Sequence, residues 1–327
     1  NLNHKRSFRM ENFNNKIAVV TGGGTGMGRE LVRQLAKEGC HVAMCDVIED
    51  NMIETHEIVS KESPNVFITK HICDVSNEEQ VIRFRDEVLS EHKTEIINLL
   101  FNNAGIGGGG SFVDSSREEW ERCFAVCWYG VYYCSRAFMP AMIASSEGHL
   151  VNTSSVNGFW ASLGGTPHTS YSAAKFAVKG FSEALLDDFR MNAPHLGVSV
   201  VMPGHIGTSI AINTGKILNA NSNGTSVERS DEEMQKVKEN MIKLGAPVHN
   251  QSLDQIRDII KERANSFKED APTTAAEAAT VILDGVKENK WRILIGEDAK
   301  ALDKWVRESP EDAYNISYNL EKRKEEG

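Results

Sequence analysis

The 327-residue chain predicts an α/β fold: a doubly wound parallel sheet of about seven strands with helices on both faces, plus a helical lid insertion. Three observations predict it. Short continuous apolar runs rich in β-branched residues alternate with amphipathic stretches from residue 17 onward, the pattern of βα units whose strands are covered on both faces. A glycine-rich turn separates the first strand from the first helix. Hydroxyl residues followed three positions later by Glu recur ahead of helical stretches, the signature of a capping box.

The first strand reads as Ile17–Thr21. The helix after it carries Met27, Leu31, Val32, Leu35 and Ala36 on one face and closes at Gly39. His41–Asp46 and 66–74 read as the next two strands. Ser76, with Glu79 three residues on, is expected to cap the following helix. Residues 97–102 form the fourth strand, and Ser115 with Glu118 introduces one long helix over 116–144. The fifth strand is 149–154, followed by a helix over 170–191. The sixth is 197–202, ended by Pro203-Gly204. A helix over 274–287, with Glu277 in its first turn, precedes the seventh strand at 291–295.

Residues 12–327 read as one domain, preceded by an extension over 1–11 in which Met10 is the expected natural start. Within the domain, 208–271 is long, polar and rich in Asn and Ser over 219–230, with helix candidates at 231–244 and 252–267. An insertion of this length after the C-terminal end of a strand suits a substrate lid. Residues 297–327 read as a helical tail, amphipathic through Ala301, Leu302, Trp305 and Val306 and ending in the charge run 321–326.

The formal net charge of −10 repels phosphate backbones, so no nucleic-acid partner is expected. No apolar run reaches the ~18–20 residues that span a bilayer, and no secretory signal is present, so no membrane association is expected either. Cys40, Cys45, Cys73, Cys123, Cys127 and Cys134 form no C-x-x-C pair and no zinc-spaced cluster. Reduced, buried thiols in a cytoplasmic protein without a metal are the expectation.

The turn Thr21-Gly22-Gly23-Gly24-Thr25-Gly26-Met27-Gly28 lies between a strand and a helix. Glycines there let the backbone approach a diphosphate while the helix N-terminus points free N–H groups at it. Asp46 ends the second strand, twenty residues after Gly26. A carboxylate there accepts ribose hydroxyls and repels a 2′-phosphate. No Lys or Arg stands at positions 23, 24 or 47 to neutralise that phosphate. The expected cofactor is NAD rather than NADP.

Further motifs follow in order. Asp74 ends the third strand, Asn102-Asn103-Ala104-Gly105 follows the fourth, and Ser154-Ser155 the fifth. Tyr171-Ser172-Ala173-Ala174-Lys175 opens a helix, and Pro203-Gly204 leads to Thr208. Over residues 16–296 the series resembles the short-chain dehydrogenase/reductase family, in its compact, single-domain, NAD-preferring form. The resemblance implies a Rossmann-type sheet and a hydride transfer between NAD and a secondary alcohol or ketone. It implies that Thr21, Gly22, Gly24, Thr25, Gly26, Met27 and Gly28 cradle the cofactor with Asp46. Asp74 and Val75 would flank the adenine. Asn103, Ala104 and Gly105 would line the cleft, and Pro203, Gly204, Ile206 and Thr208 would meet the nicotinamide amide and phosphates. It also implies a homodimer or homotetramer built on the two long helices.

Such a reaction leaves a proton to be moved on the substrate oxygen. A free Tyr titrates near ~10, too high for a base at neutral pH. Lys175 lies one helical turn from Tyr171, and a neighbouring ammonium favours the phenolate. Lys175 can also hold ribose hydroxyls, so Tyr171 and Lys175 count among the cofactor contacts. By resemblance the second serine, Ser155, donates to the substrate oxygen. Two features depart from the family pattern. Relatives commonly carry an Asn seven residues after the aromatic of the long helix, as part of a proton relay. Counting from Trp120 gives Cys127. The Ser155-to-Tyr171 gap is about three residues longer than usual, which predicts an enlarged loop over 158–169.

Ile106, Phe159, Trp160, His205 and the lid after Thr208 are the expected substrate walls. They suit a largely apolar ketone or secondary alcohol, cyclic or steroid-like ones included. The alternative function is an NAD-binding sensor or scaffold with little turnover. A redox-neutral dehydratase or epimerase is a third reading.

Overall fold

The computed structural model describes residues 10–108, 110–162, 167–218, 228–243 and 245–315. Its centre is a sheet of seven parallel strands: β1 (Ile17–Thr21), β2 (His41–Asp46), β3 (Ile68–Ile72), β4 (Leu99–Asn102), β5 (Gly148–Thr153), β6 (Leu196–Pro203) and β9 (Arg292–Ile295). The order across the sheet is β3-β2-β1-β4-β5-β6-β9. Every residue of β4, β5 and β6 is buried, as strands covered on both faces must be.

Helices α1 (Gly26–Lys37), α2 (Glu49–Glu62) and α10 (Ala275–Lys287) cover one face. Leu31, Leu35, Val59, Ile282 and Val286 share that core with the sheet. Met10 and Phe13 are buried in the same core, so the chain joins the packed body two residues before the expected boundary at residue 12. The other face is covered by α3 (Glu78–Glu91), α4 (Arg117–Phe124), α5 (Gly130–Ile143) and α6 (Thr169–Asn192). Phe84, Phe138, Ala174 and Leu185 belong to that second core. All six cysteines are free and buried.

Several elements differ from the sequence expectation. The stretch 116–144 is not one helix, because a wide π turn at Ala125–Tyr129 separates α4 from α5. The cap of α3 is Asn77, which accepts from the Gln80 N–H, and not Ser76, whose hydroxyl donates to Asp74. The cap of α4 is Ser116, accepting from Glu119 N–H, and not Ser115. Third-strand pairing is shorter than 66–74. The Thr274–Glu277 capping box of α10 forms as its spacing predicts.

The insertion after β6 is helical. It contains α7 (Ile210–Leu218), α8 (Asp231–Lys243) and α9 (Leu253–Glu269), while 219–227 and Leu244 lie outside the described residues. Met234, Met241, Val248 and Ile256 give α8 and α9 a small core of their own. The two ends of the insertion are clasped together, because β7 (Ile206–Gly207) pairs with β8 (Thr273–Thr274). The tail begins as α11 (Glu297–Glu308), and the charge run 321–326 lies outside the described residues, as do residues 1–9. Among the described residues no helix is long and apolar enough to cross a membrane. No group of His, Cys, Asp or Glu among them is arranged to hold a metal.

Phe138 is fully buried and meets Phe84 edge-on at 5.5 Å between ring centres. Phe138→Ala leaves a cavity there and is expected to cost about 3–5 kcal/mol. Urea unfolding should show this as a lower midpoint at unchanged m-value.

Candidate active site

The strand order reverses at β1, which has β2 on one side and β4 on the other. The connections leaving β1 and β4 run to opposite faces, and a crevice opens at their C-terminal ends. Thr21 closes its floor. Its hydroxyl accepts the backbone N–H of both Asn103 and Ala104 at 3.0 Å, and Asn103 Nδ2 donates to the Thr21 carbonyl at 3.1 Å.

The glycine turn is shaped for close approach. Gly22 and Gly26 have φ of +66° and +55°, the left-handed region that glycine enters without penalty. A Cβ on Gly28 would lie 1.9 Å from the Gly22 carbonyl oxygen. The turn is therefore folded onto the first turn of α1 as only glycine permits. Thr25 occupies the N-cap position of α1, yet its side chain makes no capping hydrogen bond. The helix has no acidic residue in its first turn, so its N–H groups and positive dipole end face the crevice uncompensated. This cradle fits a dinucleotide diphosphate.

Asp46 sits at the rim. Its carboxylate accepts from Gly24 N–H at 3.1 Å, Val47 N–H at 2.8 Å and Ile48 N–H at 3.1 Å. Burial raises its pKa, against the pull of those N–H donors and of Arg29. The Arg29 guanidinium is committed elsewhere, to the Gly24 carbonyl, Thr55 and Glu54. Asp74 accepts from Ser76 and pairs with Arg122 at 2.7 Å. Gly22, Thr25, Gly26, Met27, Asp46, Asp74, Val75, Ala104 and Thr208 line one continuous cavity, together with Arg122 and Asn213. Gly24 and Gly28 shape its wall from behind, and Thr208 packs on Gly26.

A second cavity of about 700 Å³ adjoins it and shares Met27, Asn103, Gly105, Thr208 and Ile210 as walls. Ser155, Tyr171, Lys175, Pro203, Gly204, His205 and Thr208 all line it. Of the adjacent serines, Ser154 is 1% exposed and donates to the Lys175 carbonyl at 2.7 Å. Its hydroxyl holds α6 against β5. Ser155 instead lines the cavity beside Tyr171, where it lowers the phenol's pKa, and its hydroxyl oxygen accepts the Asn157 N–H at 3.1 Å. Lys175 is 3% exposed. Its Nζ donates to the Thr153 carbonyl at 2.9 Å and lies 5.4 Å from the centre of the Tyr171 ring.

The Tyr171 phenol is raised above its ordinary pKa by burial, with Lys175 and Ser155 pulling it down and the neighbouring thiols of Cys127 and Cys123 pushing it up. In the ligand-free protein the phenol is thus protonated at neutral pH, where sequence reasoning expected the lysine to dominate. Cys127 lies in the π turn, and its thiol donates to the Ile106 carbonyl at 3.2 Å. The Cys123 thiol beside it and the Lys175 ammonium lower the Cys127 pKa, against the effect of burial.

The expected substrate walls are only partly assembled. His205 is in place, its Nε2 bonded to the Phe267 carbonyl at 2.7 Å and its ring 4.3 Å from that of Phe267. Ile106 faces the dinucleotide-side cavity instead. Phe159 and Trp160 line neither cavity. Trp160 is 2% exposed and packs against Trp305 of α11, so it anchors the tail. In the enlarged 158–169 loop, 163–166 lie outside the described residues. The structure adds His168, Thr214, Phe267, Asp298 and Leu302 to the wall. No sequence pattern pointed to them, because they come from two helices of the insertion, the tail helix and a loop that meet only in three dimensions.

Residues 16–218 match the family model described as short chain dehydrogenase. The oxidoreductase SadH of Mycobacterium tuberculosis is 30% identical over 298 residues, covering 91% of this chain and 92% of that protein. Epidermal retinol dehydrogenase 2 of Mus musculus is 35% identical over 184 residues, 56% of this chain and 58% of its own. The crystal structure of a short-chain dehydrogenase/reductase from Burkholderia phymatum in complex with NAD superposes with a TM-score of 0.74 at 27% identity, covering 94% of this chain and 98% of that one.

Gly28→Ala is expected to push α1 away from the turn and to weaken dinucleotide binding by at least ~10-fold, about 1.4 kcal/mol. Titration calorimetry with NAD reads the loss directly.

Proposed function

The chain belongs to the short-chain dehydrogenase family, and from that premise we propose that it transfers a hydride between NAD and a secondary alcohol or ketone. The observation that carries the reading is the shared cavity. Ser155, Tyr171 and Lys175 face one apolar chamber of about 700 Å³ that opens onto the glycine cradle. A dinucleotide held by these residues would supply or accept the hydride.

The protein's own groups handle the proton. In ketone reduction the protonated Tyr171 phenol donates to the forming alkoxide, and Ser155 holds the same oxygen by a second hydrogen bond. Lys175 lowers the cost of the phenolate that results. In alcohol oxidation the roles reverse. Because burial raises the pKa of the phenol, the form present at neutral pH is the one that donates in reduction. The kcat/KM for oxidation should rise with pH until the phenol has ionised, and that for reduction should fall over the same range.

Val156, Ile206, Ile210, Ala211, Phe267 and Leu302 give the chamber its apolar character. It suits a ketone or alcohol on a bulky hydrocarbon frame, with 208–271 acting as its lid. The mouse relative is named for retinol, likewise an alcohol on a bulky hydrocarbon frame but a primary one. An assembly through α5 and α6 belongs to the same reading, supported by the exposed rings of Tyr129, Tyr132 and Phe176. So does a cytoplasmic setting, in which six free thiols persist.

A panel of apolar secondary alcohols, followed by the absorbance of reduced nicotinamide, tests the activity. Tyr171→Phe should lower kcat by ~10²–10⁴-fold, the usual worth of a positioned general acid or base, while the Kd for NAD stays within about twofold. Retained turnover would remove Tyr171 from the reaction.

NAD over NADP rests on Asp46, whose carboxylate stands at the ribose end while Arg29 is occupied. Asp46→Ala should raise the NADP/NAD ratio of kcat/KM by ~10-fold or more, about 1.4 kcal/mol of relieved repulsion. A wild-type preference for NADP would refute the assignment.

A further inference from the structure

Thr25 stands at the N-cap of α1 in extended conformation, φ −148° and ψ 175°. Threonine in this position ordinarily turns its hydroxyl oxygen back to accept an N–H of the first helical turn. Here it does not. The hydroxyl oxygen instead accepts Nδ2–H of Asn213 at 3.1 Å, from α7 across the crevice. Asn213 and Thr25 line the same cavity as Gly22 and Gly26.

Helix α7 meets the body of the protein at its C-terminal end, where Ile217 and Leu218 pack against the second core. None of its residues is buried. Beyond Asn213, its other side-chain tie across the crevice is the Thr214 hydroxyl, which accepts the Gly107 N–H at 2.8 Å. The contact that diverts Thr25 is therefore a specific one and not a by-product of tight packing.

We propose that Asn213 is a positioning residue of the diphosphate site, acting by holding Thr25 off the end of its own helix. The inference rests on the dinucleotide reading above. With its oxygen engaged by Asn213, the Thr25 hydroxyl keeps its proton to donate to a diphosphate oxygen. The first N–H groups of α1 stay open to the same anion. Without Asn213, Thr25 is released to cap α1 and competes with the ligand for those N–H groups.

The test uses ADP-ribose, which carries the diphosphate without the reactive ring, and adenosine, which carries neither. Calorimetry on the full chain should show Asn213→Ala weakening ADP-ribose by roughly fivefold to tenfold, the worth of one cap or hydrogen bond. Adenosine binding should not change. Asn213→Asp, which keeps the shape and replaces the donor with a negative charge, should weaken ADP-ribose further. In a Thr25→Val background the Asn213→Ala effect should shrink to within twofold, because the two act through one contact. ADP-ribose binding that is unchanged in Asn213→Ala would overturn the inference alone, as would an undiminished effect in the Thr25→Val background. An equal loss for adenosine would also overturn it, by showing that α7 merely loosens. A wild-type protein that binds no ADP-ribose would overturn the dinucleotide reading and this inference together.

Discussion

The Lys175 side chain is 3% exposed and makes no salt bridge among the described residues; its Nζ donates to the Thr153 carbonyl and faces the Tyr171 ring. A buried ammonium is costly unless its donors are satisfied. One donor is spent on β5, and the other two remain for whatever enters the cleft. That arrangement ties three things together: the end of β5, the second turn of α6 and the chamber. It also supplies the one positive charge that offsets burial at the phenol. Removing it would leave Tyr171 with burial and two thiols acting in the same unfavourable direction.

The rest of the scaffold holds the surroundings of that ammonium still. Ser154 donates to the Lys175 carbonyl and so fixes the register of α6 on β5. The π turn at Ala125–Tyr129 presents Cys127 toward the Ile106 carbonyl. Gly105 leaves open the space between Lys175 and Cys127; a Cβ there would sit 3.6 Å from Nζ and 3.9 Å from Sγ. On the other side of the crevice, Thr21 binds the β1 end to the β4 end through two N–H groups. The insertion reaches back over both cavities while β7 and β8 clasp its base.

Much of this was legible in the sequence, for physical reasons. Strands covered on both faces must be continuously apolar, and the runs at Ile17–Thr21 and His41–Asp46 are. The glycine turn and the Tyr171–Lys175 spacing are local patterns, so one stretch of chain displays them. What escaped was either weakly patterned or non-local. Helix α2 buries only Met52, Thr55 and Val59, too few apolar residues to show a stripe. Helix α7 buries none. The break between α4 and α5 follows no Gly or Pro signal at the π turn itself, and we have no sequence account of it. Trp160 read as a substrate wall because large aromatics near a catalytic serine suggest one. Its partner proved to be Trp305, nearly 150 positions away. The pKa direction of Tyr171 depends on how deeply the ring is buried, which no spacing reveals.

The most direct test of the account titrates the phenol itself. The ultraviolet tyrosinate signal of the wild-type protein minus that of Tyr171→Phe isolates Tyr171 from the other tyrosines. The account has the phenol held high by burial in the free protein and sensitive to positive charge in the cleft. Saturating oxidised NAD, which brings a cationic ring beside it, should move the difference titration to lower pH, and Lys175→Met should move it to higher pH. A difference titration indifferent to both would mean that this phenol does not face the dinucleotide, and the proposed chemistry would fail with it.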